Sequence, residues 1–170
     1  MIELCQLPHA TRFILQGGSA ARAAAGEAFG VPLPATACRA NAREGRAALW
    51  LGPDEHLLLS PPGDREALIA GLESALAGLA HSLVEVSQRQ VAMRVSGPRA
   101  STILNTGCPL DLDPAVFPPG MCTRTLLGKA EIVIWRTGAE AFHLEVWRSF
   151  ADYVLAWLRE AERLNFGGDS

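Results

Sequence analysis

Strand-like runs and helix signals follow one order twice along this chain, and that repetition limits the folds open to it. The first pass opens with IELCQ and TRFILQ and continues into a short alanine-rich helix from Ser19 to Phe29, which stops at Gly30 before Pro32. Three strands follow, AALWL among them, ending at HLLLS. A helix from Asp64 to about Ala77 closes the pass, with Leu68, Ile69, Leu72 and Leu76 on one side and Arg65, Glu66 and Glu73 on the other. The second pass runs LVEVS, VAMRV, a helix opening at Pro98 and stopping near Gly107, then TRTLL, EIVIW and FHLEV, and a last helix behind Ser149. Each pass is ββαβββα. RFILQGGSAARA lies opposite AMRVSGPRAST, and AALWLGPDEHLLL lies opposite EIVIWRTGAEAFHLEV, so Trp50 and Trp135 hold similar places.

The expected fold is therefore α+β, with duplicated ββαβββα subdomains whose mostly antiparallel sheets carry packed helices. The 170 residues read as one domain of two pseudo-repeats, about 1–80 and 81–166, exchanging their first strands around one shared core. Alternation sets the faces of the second-pass strands. Val91, Met93 and Val95 share one face, and Phe142, Leu144 and Val146 point inward with His143 and Glu145 outward. In the last helix Phe150, Val154, Trp157, Leu158 and Ala161 recur at helical spacing, with Ser149 as N-cap and Asp152 completing a weak capping box.

A hydrophobic content of 49% against 19% charged residues, with a mean hydropathy of +0.15, leaves less polar surface than a free monomer carries and favours a chain with a protein partner. A net charge of -3, with basic residues scattered singly, gives no footprint for nucleic acid. Cys5, Cys38, Cys108 and Cys122 form no CxxC pair, and MIELCQLPHATRF has no signal-peptide pattern; the expectation is a cytoplasmic protein with free thiols. No apolar run approaches the roughly 18 residues of a membrane span.

Motifs for chemistry are sparse. His9, His56, His81 and His143 have no ligand spacing, and Asp111 and Asp113 lack the rest of a calcium loop, so a metal site is not expected. Gly17, Gly18 and Ser19 make a strand-to-helix turn that could face an anion, but Gly97 and Pro98 hold the equivalent place in the second pass and neither nucleotide fingerprint is present. Cys108 follows a helix end instead of opening a helix, and no GxSxG occurs, so no nucleophile is assigned. Trp50, Trp135 and Trp157 read as core and Trp147 as exposed. The long irregular connection CPLDLDPAVFPPG, from Cys108 to Gly120, and the corner after FHLEV become the candidate partner surface: Cys108, Pro109, Leu110, Asp111 and Phe117 with Trp147, Arg148, Ser149 and Phe150.

Four segments, WLGPDEHLLL at 50–59, SQRQVAMRVSGPRA at 87–100, GCPLDL at 107–112 and WRTGAEAFHLEVWRSF at 135–150, resemble the gamma subunit family of heterotetrameric sarcosine oxidase, in order and over nearly the whole chain. That family is similar to the folate-binding domain of aminomethyltransferases and of the transfer-RNA-modifying GTPases. The resemblance implies a non-catalytic subunit, partnered by alpha, beta and delta subunits, in a complex that oxidatively demethylates sarcosine to glycine with one-carbon transfer to tetrahydrofolate. It implies that FAD, FMN, NAD and tetrahydrofolate reside in the larger subunits and that no catalytic residue belongs to this chain. His56 departs from the larger aromatic residue expected in WLGPDE-x-LLL, with an effect confined to local packing. The competing reading is a stand-alone folate-binding or one-carbon carrier protein.

Overall fold

A computed structural model describes residues 1–166 of the chain. In the stretch His9–Ser87 the strands are β2 (Thr11–Gly17), β3 (Ala40–Arg43), β4 (Arg46–Gly52), β5 (Glu55–Ser60) and β6 (His81–Glu85), with helices α1 (Ser19–Phe29) and α2 (Arg65–Leu76). They form one antiparallel sheet in the order β3-β4-β5-β2-β6. The second compact unit joins Met1–Pro8 to the chain from Gln88 onward. It contains β1 (Glu3–Gln6), β7 (Gln90–Ser96), β8 (Cys122–Leu127), β9 (Ala130–Gly138) and β10 (Ala141–Trp147), with α3 (Ala100–Leu104) and α4 (Ala151–Phe166). Its antiparallel sheet runs β8-β9-β10-β7-β1.

These two orders are the same order once β1 and β6 are exchanged. The strand opening the first pass pairs with β7 of the second, and β6, which opens the second pass, pairs with β2 of the first. Details repeat as well. Each exchanged strand is extended by one matching bond, Leu7 N–H to the Ala92 carbonyl and Val86 N–H to the Arg12 carbonyl, both 2.8 Å. Gly17 and Gly97 donate to the carbonyls of Asp54 and Glu140, both at 2.9 Å. Trp50 faces His56 across β4 and β5, as Trp135 faces His143 across β9 and β10.

The buried apolar residues beneath the helices form two clusters, one per unit. In the N-terminal unit Ala21, Ala25 and Phe29 of α1 and Leu68, Leu72 and Leu76 of α2 cover Phe13, Leu15, Ala48 and Leu58. In the other, Ala100, Ile103 and Leu104 of α3 and Val154, Leu158 and Ala161 of α4 cover Met93, Val95, Ile132, Ile134, Phe142 and Leu144. Each Val, Leu, Ile, Phe or Met among them contributes about 1.5–3 kcal/mol by leaving water. Leu57, Leu58 and Leu59 are all buried, which accounts for a β5 run without alternation.

Three local readings are corrected. The helix from Pro98 is short, because after Leu104 the Thr106 hydroxyl donates back to the Ile103 carbonyl at 2.7 Å and the chain turns away at Gly107. Ser149 does not stand at the N-cap of α4; it lies inside a single 3-10 turn, Arg148–Phe150, that runs directly into the helix. Glu145 lies on the face opposite the helices, as alternation requires, yet it is fully buried. His143 Nε2 lies 2.7 Å from its Oε1, so the buried carboxyl has a polar partner.

Candidate functional site

The loop from Cys108 to Gly120 is built by backbone accounting. Asn105 Nδ2 donates to the carbonyls of Cys108 (3.2 Å) and Leu110 (2.5 Å). The carboxylates of Asp111 and Asp113 accept the N–H groups of Asp113 and Ala115 at 2.9 and 2.8 Å, two successive Asx turns. Two more of its carbonyls, Leu112 (2.9 Å) and Phe117 (3.0 Å), accept from Arg136 of β9, only 1% exposed, which also donates to Gly138 (3.2 Å) and Ala139. The guanidinium stands over the Phe142 ring, 4.9 Å from its centroid. Nothing in the sequence reading singled out Arg136. The available signal was parity: Ile132, Ile134 and Arg136 alternate onto the helix-covered face, so a cation there must find acceptors.

This arrangement corrects part of the expected surface. Cys108, Leu112 and Phe117 are 4%, 0% and 2% exposed and belong to the core cluster, so these three serve the unit's own packing, while Val116 in the same loop stays exposed. Leu110 packs partly against that cluster, and Pro109 and Asp111 are exposed.

The corner behaves differently. Trp147, Arg148, Ser149 and Phe150 are four consecutive exposed residues where β10 turns into α4. Trp147 and Phe150 retain 42% and 41% of their surface in solvent. Arg136 pairs with Phe142 near the start of β10, whereas Trp147 ends it, roughly 17 Å further along the strand. An aromatic ladder nevertheless connects the corner to the loop's beginning. Phe150 meets Tyr153 edge-on at 6.2 Å and Tyr153 meets Trp157 at 5.9 Å. Trp157 Nε1 donates to the Thr106 hydroxyl at 3.2 Å, and Gly128 N–H donates to the Gly107 carbonyl at 2.9 Å. Gly128 has φ +59, and a Cβ there would collide with the Tyr153 hydroxyl and lie 3.0 Å from the Trp157 ring, so only glycine fits the ladder.

The sequence reading also passed over Arg89, in the turn before β7. Its guanidinium stacks 4.9 Å from the Trp147 ring centroid, and its backbone carbonyl accepts the Arg148 N–H at 2.9 Å. No periodic pattern marks a turn residue, so only its neighbours in space reveal it.

The remaining candidates serve structure. A Cβ on Gly17 would meet that of Ala21 at 2.7 Å, which accounts for glycine in that turn by packing. His56 is buried and its Nε2–H donates to the Pro34 carbonyl at 2.7 Å; burial lowers its pKa, partly opposed by that hydrogen bond. Trp50, Trp135 and Trp157 are half-buried, and Trp147 is exposed. Cys5 and Cys38 are half-buried free thiols and Cys122 is buried. Among the described residues no three metal-ligating side chains converge. A cleft of about 550 Å³ beside the loop is lined by Asn105, Asp111, Asp113, Arg136 and Glu140. Four of the five donors of its arginine are spent on carbonyls, and its other charges are carboxylates, a poor fit to an anionic cofactor. No helix is long and apolar enough to cross a membrane among the described residues.

The architecture defines the class: an α+β chain with the fold of the aminomethyltransferases. It overlays aminomethyltransferase T of the glycine cleavage system from Bartonella henselae with a TM-score of 0.66 over 92% of this chain and 45% of that one, at 16% identity. Residues 16–163 match the sarcosine oxidase, gamma subunit family, and the chain belongs to that family. It is 33% identical to sarcosine oxidase subunit gamma of Corynebacterium sp. (strain P-1) over 94% of this chain and 79% of that one, and 35% identical to the Arthrobacter sp. subunit over 85% and 70%. A chain of heterotetrameric sarcosine oxidase from Corynebacterium sp. U-96, in complex with pyrrole 2-carboxylate, matches with a TM-score of 0.90 over 99% of this chain and 87% of that one, at 30% identity.

Proposed function

We propose that this chain works as a non-catalytic subunit of a heterotetrameric sarcosine oxidase, partnered by alpha, beta and delta subunits in the cytoplasm. The complex would demethylate sarcosine oxidatively to glycine and pass the one-carbon unit to tetrahydrofolate, with FAD, FMN, NAD and folate held by the larger subunits. The observation that carries this reading is the overlay of nearly the whole chain on one chain of the heterotetrameric enzyme. Two further features support it. In the loop Cys108, Leu112 and Phe117, with Arg136, are committed to packing, and the corner Trp147–Phe150 presents large apolar and cationic groups outward. Contact surfaces rich in Trp and Arg are where protein partners gain most of their binding energy.

The test uses the isolated chain. Purified alone it should carry no flavin absorbance, form no peroxide from sarcosine and give no saturable heat signal with tetrahydrofolate. Stoichiometric tetrahydrofolate binding would instead make it a carrier in its own right, and peroxide formation would make it an enzyme.

A further inference from the structure

We infer that Arg89 and Arg148 form a carboxylate clamp that takes one acidic side chain of a larger subunit, with Trp147 and Phe150 seating the apolar residues beside it. The inference rests on the subunit reading above and gives the contact its chemistry. Arg148 N–H donates to the Arg89 carbonyl, and Trp147 lies opposite Gln90 in the β7–β10 pairing, so turn and corner are fixed side by side. The Arg89 guanidinium lies against the Trp147 ring, a geometry that leaves in-plane N–H groups free to meet a planar acceptor. Among the described residues it donates no hydrogen bond, and its Nε is buried without a partner. Arg148 Nη2 reaches only a neutral acceptor, the Gln88 side-chain oxygen at 3.1 Å.

Elsewhere, Arg43, Arg46, Arg65 and Arg163 each meet a carboxylate within 3.3 Å. The chain carries a net charge of -3, yet among the described residues neither Arg89 nor Arg148 meets a carboxylate. An acceptor arriving from outside meets the terminal N–H groups of Arg89 and Arg148, not the buried Nε, and charge-assisted bonds to an ionised acceptor are the strong ones. Charge complementarity therefore selects an Asp or Glu flanked by apolar residues, and the exposed Trp147 and Phe150 supply the matching surface.

The experiment co-expresses the full set of subunits with Arg89→Gln, Arg148→Gln, the double variant and Arg89→Lys, and measures association across a salt series, together with the melting temperature of each isolated chain. Each Gln variant should weaken association about thirtyfold at low salt, the loss expected of a central contact. The double variant should respond less to salt. Arg89→Lys should not rescue, because an ammonium has no planar fork. A photo-crosslinker at Phe150 in the otherwise unaltered chain should capture an Asp- or Glu-containing segment of a larger subunit, which keeps the inference testable even if a variant fails to fold. Undiminished association of the double variant overturns the clamp, as does a crosslink to a second copy of this chain or to a segment without an acid. If the unaltered chain itself does not associate, the subunit reading fails first, so the two failures are distinguishable.

Discussion

His56 shows how one residue can couple folding to pH. It stands where the sequence comparison expected a larger aromatic residue, and packing alone would make it a neutral substitute. Burial makes it more than that, because loss of water disfavours the imidazolium and lowers the pKa in the folded chain. The unfolded chain binds the proton first as pH falls below about 6.5, the ordinary histidine value. The contribution is therefore fully present above that value and lost as the pH drops through the folded value. Melting temperature should fall between pH 7.5 and 5.5, and His56→Phe should flatten that fall while losing the hydrogen bond to Pro34. An equal slope in the variant would remove His56 from the account. His143, its counterpart by register, was legible as a strand residue; its pairing with buried Glu145 was not, because alternation assigns a face and not the solvent content of that face.

At the scale of elements, one side chain holds one loop. Arg136 satisfies four carbonyls, Leu112 and Phe117 in the loop and Gly138 and Ala139 beyond it, and a planar fork is what lets a single residue reach acceptors spread that widely. Arg136→Met strands those carbonyls in or near the core. It should cost the isolated chain about 3 kcal/mol, with proteolytic cleavage between residues 108 and 120 appearing in limited digestion. Arg136→Lys, with three donors on a flexible stem, should recover only part. Unchanged melting and an equally resistant loop in both variants would contradict this role. Helices and strands were legible here because glycine and proline punctuate them: α1 ends at the left-handed Gly30, as its sequence indicates. The loop's destination was not legible, since Leu112 and Phe117 carry no period, and their burial follows from Arg136 two elements away.

Over the whole molecule, duplication explains what single motifs do not. The order of elements was readable from the chain, and the common sheet order with exchanged first strands is its structural outcome. What sequence could not supply was the pairing of distant partners such as Arg89 with Trp147, because turn and strand end are brought together only by the β7–β10 ladder. The central claim is that this chain is a subunit and not an agent on its own. Its most direct test is size-exclusion chromatography of the co-expressed sarcosine oxidase subunits with this chain tagged. The account predicts that it elutes in equal stoichiometry with the other subunits, in a single species active on sarcosine. Elution of this chain alone, beside a fully active complex that lacks it, would contradict the account.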